Sequence, residues 1–176
     1  MLVVSAIVGI LSAMLLINFR SISSSKNVVE RNAFLVVSQI REAQTLSVTT
    51  TSYNEEIACG YGIRYNSTPG FGTISIYFTP KPVATDCDAE NKNYESGKDT
   101  MIKTLSFPDK NIVVKQAFKD IFFVPPDPKT YIDDSFSYGS FEEIIVGSKD
   151  KDCAIAPGCK TVKVYSSGQI DVADSP

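Results

Sequence analysis

At 176 residues with a formal net charge of −3, the chain is long enough for one domain with its own core. It contains no histidine, which removes the commonest general base and metal ligand, and it carries no GxSxG, P-loop or GxGxxG motif. Enzymatic activity, cofactor, metal centre and small-molecule substrate are therefore not expected.

Residues 1–50 carry four basic residues against two acidic ones, whereas residues 51–176 carry 13 basic against 18 acidic. An acidic domain is a poor partner for phosphate backbones, so nucleic-acid binding is not expected either.

Met1 to Ile17 contain no charge, and ten of those seventeen residues are Leu, Ile or Val. On an insertion scale these contribute about −3 to −6 kcal/mol toward a bilayer, and a transmembrane segment is expected over about residues 1–19. A cleaved signal peptide would need a basic residue ahead of the apolar run and a small-residue cleavage site after it; the run ends in Asn18-Phe19-Arg20. A plain single-span anchor fits the composition too. Ser5, Gly9 and Ala13 lie four apart, a small-residue row that lets helices approach closely.

No proline or glycine occurs between Ile10 and Gly60. Val29, Ala33, Val36, Ile40 and Ala43 recur at alternating steps of four and three, the stripe of an amphipathic helix that docks on a globular partner. The pattern predicts one rod from about Leu2 to Val48, about 70 Å long at 1.5 Å per residue, with Ser21–Ser25 as its weak point.

The run from Met1 through Gly9-Ile10-Leu11-Ser12-Ala13 to Ile17-Asn18-Phe19 resembles the N-terminal helix of type IV pilins and type II secretion pseudopilins. The resemblance is strong over about nineteen residues and implies a subunit that waits in the membrane and then joins a homo- or hetero-filament of pilin-like subunits. It further implies an inner-membrane single-pass protein with an extracytoplasmic domain, later part of a cell-surface or periplasmic filament. The family's leader and its glutamate would precede Met1, which fits the next slot. Ile17 stands where many members have proline.

From Cys59 onward the pattern turns to period two. Tyr61, Ile63 and Tyr65, then Ile74, Ile76 and Phe78, flank a turn at Ser67–Gly70 and read as a hairpin. Gly60, Gly62, Gly70 and Gly72 fit hairpin ends. Further strands are expected at Met101–Phe107, Ile112–Lys115, Asp120–Val124, Glu143–Val146, Thr161–Tyr165 and Gln169–Val172. Val83–Thr100 reads as a polar surface loop and Pro125–Pro128 as a break. The expected fold is α+β: a long N-terminal helix over residues 1–50, its C-terminal half packed on an antiparallel β-rich domain over 51–176. A strand-rich domain ending in a hairpin is similar to the minor pseudopilin H and fimbrial T-like group.

The four cysteines, Cys59, Cys87, Cys153 and Cys159, form no CxxC pair, and an even count suggests disulfides in an oxidising compartment. Pro157-Gly158 can turn the chain between Cys153 and Cys159, which would leave Cys59 to Cys87, although four cysteines permit three pairings. The acids Asp86, Asp88 and Glu90 lack the glycine of a calcium loop and read as solvated. The function expected is a structural filament subunit; the alternative is a tip module that captures DNA or a surface ligand.

Overall fold

The computed structural model describes residues 26–49, 52–68, 71–82, 86–125, 129–153 and 158–175. Among them it is mostly β: nine strands in two antiparallel sheets, with one 23-residue helix, α1, over 26–48. This corrects the expected α+β architecture built around a long N-terminal helix. The helix is about 35 Å long at 1.5 Å per residue, half of the rod that the uninterrupted sequence suggests, and it forms a single layer on a larger β body. The front of that rod, with the transmembrane segment expected over 1–19, lies outside the described residues. No helix among the described residues is long and apolar enough to cross a membrane.

Sheet I has the order β3-β2-β1-β5-β6, formed by β1 (Ala58–Thr68), β2 (Phe71–Pro80), β3 (Thr100–Thr104), β5 (Ile121–Val124) and β6 (Lys129–Ile132). Sheet II has the order β4-β7-β8-β9, formed by β4 (Ile112–Val114), β7 (Phe141–Ser148), β8 (Cys159–Tyr165) and β9 (Ile170–Asp174). The period-two pattern fixes which face turns inward. Tyr61 and Ile63 on β1, Ile74, Ile76 and Phe78 on β2, and Ile121 and Phe123 on β5 share one cluster with the apolar stripe of α1 and with Ile144, Val146, Val162 and Val164 of sheet II. Full burial of each such side chain is worth about 1.5–3 kcal/mol.

The expected strands shift by one to three residues at their ends, and β6 was not expected. β3 ends at Thr104, and the amide of Leu105 makes a last bond to the Ile74 carbonyl (2.8 Å) before the chain departs toward β4. β6 follows the prolines directly, and its period-two pattern is only four residues long. Gly60 and Gly62 sit within β1 and not at a hairpin end. A Cβ at Gly60 would strike the Phe123 carbonyl and the Phe122 ring, and one at Gly62 would strike the Tyr77 ring. The glycines leave room for two aromatic rings to lie on the outer face of sheet I.

The β1–β2 pairing slips between Ala58 and Gly60, so Cys59 is the extra residue of a bulge. Two tight reversals, Tyr53–Glu56 and Ile132–Ser135, carry Asn54 and Glu55 (φ 51 and 70) and Asp133 and Asp134 (φ 54 and 55) in left-handed conformation. Paired positive φ values are those of a type I′ turn.

Candidate functional site

On α1, the expected docking residues Val29, Ala33, Val36, Ile40 and Ala43 are all buried in the shared core. The same face holds two residues that the apolar stripe did not include: Asn32, whose side chain donates to the Val28 carbonyl (2.7 Å), and Gln39. Polar contacts fasten the edges. Gln44 Nε2 donates to the Gly168 carbonyl in the β8–β9 turn (2.8 Å), Ser47 Oγ to the Phe123 carbonyl (2.8 Å), and Lys103 Nζ of β3 pairs with Glu42 (2.6 Å). The helix therefore touches both sheets. Ser5, Gly9 and Ala13 lie outside the described residues.

The cysteines close as Cys59–Cys87 and Cys153–Cys159, each with a Cα separation of 5.2 Å. The first bridge fastens residues 86–99, part of the surface loop expected over Val83–Thr100, as a strap across the outer face of sheet I. Beneath it, Tyr77 stacks on Phe122 (centroids 5.8 Å apart) and meets Tyr94 edge-on (5.5 Å), while the Arg64 guanidinium lies 4.0 Å over the Tyr94 ring.

Carboxylates hold the strap through its own amides. The Lys92 amide donates to Asp134 Oδ1 (2.8 Å), the Tyr94 amide to Asp120 Oδ2 (2.8 Å) and the Glu95 amide to Asp99 Oδ2 (2.7 Å). Lys92 is only 4% exposed, and its ammonium donates to the carbonyls of Cys87 (3.0 Å), Asp88 (3.0 Å) and Glu90. The Tyr77 hydroxyl donates to the Lys92 carbonyl (2.7 Å).

Burial raises the pKa of Asp99 and Asp120, opposed in both by the amide that each accepts. Tyr77 is pushed well above its ordinary value by burial and by Asp120 and Asp99 nearby. These are the marks of a buried polar fastening. No group of three or more potential metal ligands is assembled among the described residues, the acids of 86–90 included.

Two surfaces stand out for exposure. Along the outer side of α1, Arg31, Phe34, Ser38, Arg41, Thr45 and Val48 follow one another at helical spacing and are all exposed, Phe34 by 55%. Among the described residues, neither arginine has an ion-pair partner.

The second surface is the loop between β6 and β7. Tyr131, Phe136 and Tyr138 form a ladder with centroid spacings of 5.8 and 5.0 Å, ending in Tyr138 at 92% exposure. Asp133 and Asp134 lie in the same loop, Glu142 follows on β7, and the Lys92 ammonium lies 5.5 Å over the Tyr131 ring. Asp133 pairs with Lys119 (3.0 Å), which holds its carboxyl below the usual range, while burial raises Glu142. Bonds from Ser140 N (3.1 Å) and Oγ (2.7 Å) to the Ser137 carbonyl, and from Ser166 N to the Ser140 carbonyl (2.9 Å), fix the loop's shape.

The chain matches no family model, no curated protein and no solved structure.

Proposed function

We propose that this chain is a structural subunit of a type IV pilus or type II secretion pseudopilus, held in a membrane before it joins its filament. The observation that carries the reading is a junction. Helix α1 is bolted to both sheets by its inner stripe and edge contacts, and the chain on its N-terminal side begins with seventeen uncharged residues. A folded domain with an apolar handle is suited to bundling with other handles, and Ser5, Gly9 and Ala13 supply a row for close helix approach. Two disulfides fit an oxidising compartment for the domain.

The test is expression of the full chain with export to an oxidising compartment, followed by membrane fractionation and electron microscopy of sedimented assemblies. Wild type is expected to resist alkaline extraction, yield to detergent and enter filaments. Gly9→Leu or Ala13→Leu is expected to abolish filament entry while tyrosine near-ultraviolet circular dichroism stays unchanged. Release of the wild type by alkaline wash, or assembly of both variants at wild-type levels, overturns the proposal.

A further inference from the structure

The two exposed surfaces are complementary in charge. The outer stripe of α1 presents Arg31 and Arg41 with no acidic residue among its six positions. The β6–β7 loop carries Asp133 and Asp134, with Glu142 just after it on β7; the cations close by are Lys119, paired with Asp133, and the buried Lys92, whose ammonium lies 5.5 Å over the Tyr131 ring and is taken up by backbone carbonyls. Each surface also carries a large apolar group left in solvent, Phe34 on the helix and Tyr138 on the loop. An aromatic ring beside carboxylates is suited to a guanidinium, which takes a ring face and a carboxylate together.

We propose that the outer stripe of α1 in one copy receives the β6–β7 loop of a second copy, with Tyr138 seated against Phe34 and the arginines facing Asp133, Asp134 and Glu142. Phe34 and Tyr138 are exposed in the single chain, and Asp133 and Asp134 stay exposed although the strap meets one oxygen of each through Asn93 and the Lys92 amide. The occupant is a second copy because one chain carries both the cationic stripe and the acidic loop. Because the two patches differ, the contact is head-to-tail: each copy keeps a free stripe at one end and a free loop at the other, and repetition gives an open chain of subunits unless the rotation closes a ring. The loop is preorganised by the Asp133-Asp134 turn and the Ser137–Ser140 bonds, so little ordering entropy opposes docking.

This inference rests on the filament reading and names the surfaces that its globular parts use. All four native cysteines are in disulfides, so introduced ones report alone. Full-length Phe34→Cys and Tyr138→Cys chains are co-expressed, assembled in membranes, oxidised and separated on a non-reducing gel, with sedimentation of the same samples. Mixed dimers between the two variants are expected to exceed either homodimer, and adding R31E and R41E to the Phe34→Cys chain is expected to lower their yield about fivefold. Raising salt should lower it as well. Homodimers alone, or sedimenting assemblies without mixed dimers, overturn the docking and leave the filament reading standing. Chains that remain monomeric in the membrane overturn both.

Discussion

Sheet I is covered on both faces, by α1 and sheet II on one and by residues 86–99 on the other, and the two covers are fastened by different physics. The inner cover is mainly apolar packing, in which Val36, Ile40, Ile63 and Ile76 have no exposed surface, with Asn32, Gln39 and Ser47 as its buried polar members. The outer cover buries aromatic rings too, but it is held by a disulfide, by three carboxylates accepting backbone amides and by an ammonium capping carbonyls. Area burial is forgiving about direction, whereas a hydrogen-bonded fastening depends on each partner being present and correctly charged.

The largest break belongs to the inner face. Val36→Asp puts a charge at a fully buried position of the apolar cluster, and a loss of about 3–5 kcal/mol is expected, read as a collapse of the urea midpoint. Next come the disulfides, which differ in loop length. Cys59–Cys87 spans 28 residues and Cys153–Cys159 spans 6, so removal of each by paired Ala substitution should cost about 3–4 and about 2 kcal/mol respectively. If the short bridge matters more, the strap is not the element that Cys59–Cys87 restrains.

Asp120 sharpens the contrast further. Asp120→Ala removes the acceptor of the Tyr94 amide and should cost about 1–3 kcal/mol. Asp120→Asn keeps an acceptor oxygen and removes a partly buried charge, so it should be close to neutral at pH 7. The same pair predicts a pH response. Asp99 and Asp120 have raised folded pKa values, so the folded state holds their protons more tightly than the unfolded state. Their contribution is most favourable below the ordinary carboxylate range and is lost as pH rises through the raised values. Asp133 and Asp174 have lowered values, set by Lys119 and Lys160. Theirs is present above the ordinary range and is lost as pH falls through the folded values. Denaturation midpoints between about pH 3 and 7 should show a component of falling stability with pH that Asp120→Asn flattens.

The same division governs how much could be read from the sequence. The stripe Val29–Ala43 and the alternation Tyr61-Ile63 and Ile74-Ile76-Phe78 are local, so the helix, the first hairpin and the inner faces were visible in spacing alone. Residues 86–99 were not. Their partners are Asp120, Asp133 and Asp134, far along the chain, and a polar segment satisfied by distant carboxylates has the composition of one satisfied by water. The cysteines offered the one signal of its docking, since a bridge from β1 to residue 87 tethers the segment over sheet I. The share of helix was overstated for a related reason. Absence of glycine and proline permits a rod but does not decide how far it extends, and the β body outweighs the helix that the structure describes. β6 escaped notice because its four residues follow a proline cluster and earn their place by pairing with β5.

The smallest expected effect on stability is the one that best separates folding from association. Tyr138 is 92% exposed and meets the Phe136 ring edge-on, so Tyr138→Ala should change the unfolding free energy by less than about 0.5 kcal/mol. Self-association need not follow, because a side chain that contributes nothing to its own copy can be the anchor of a contact between copies. Equal thermal midpoints with weaker sedimentation of assemblies would assign Tyr138 to the surface between subunits, where the proposed docking puts it. An equal loss in both measurements would return it to the fold, and with it the ladder of Tyr131 and Phe136 that holds it out into solvent.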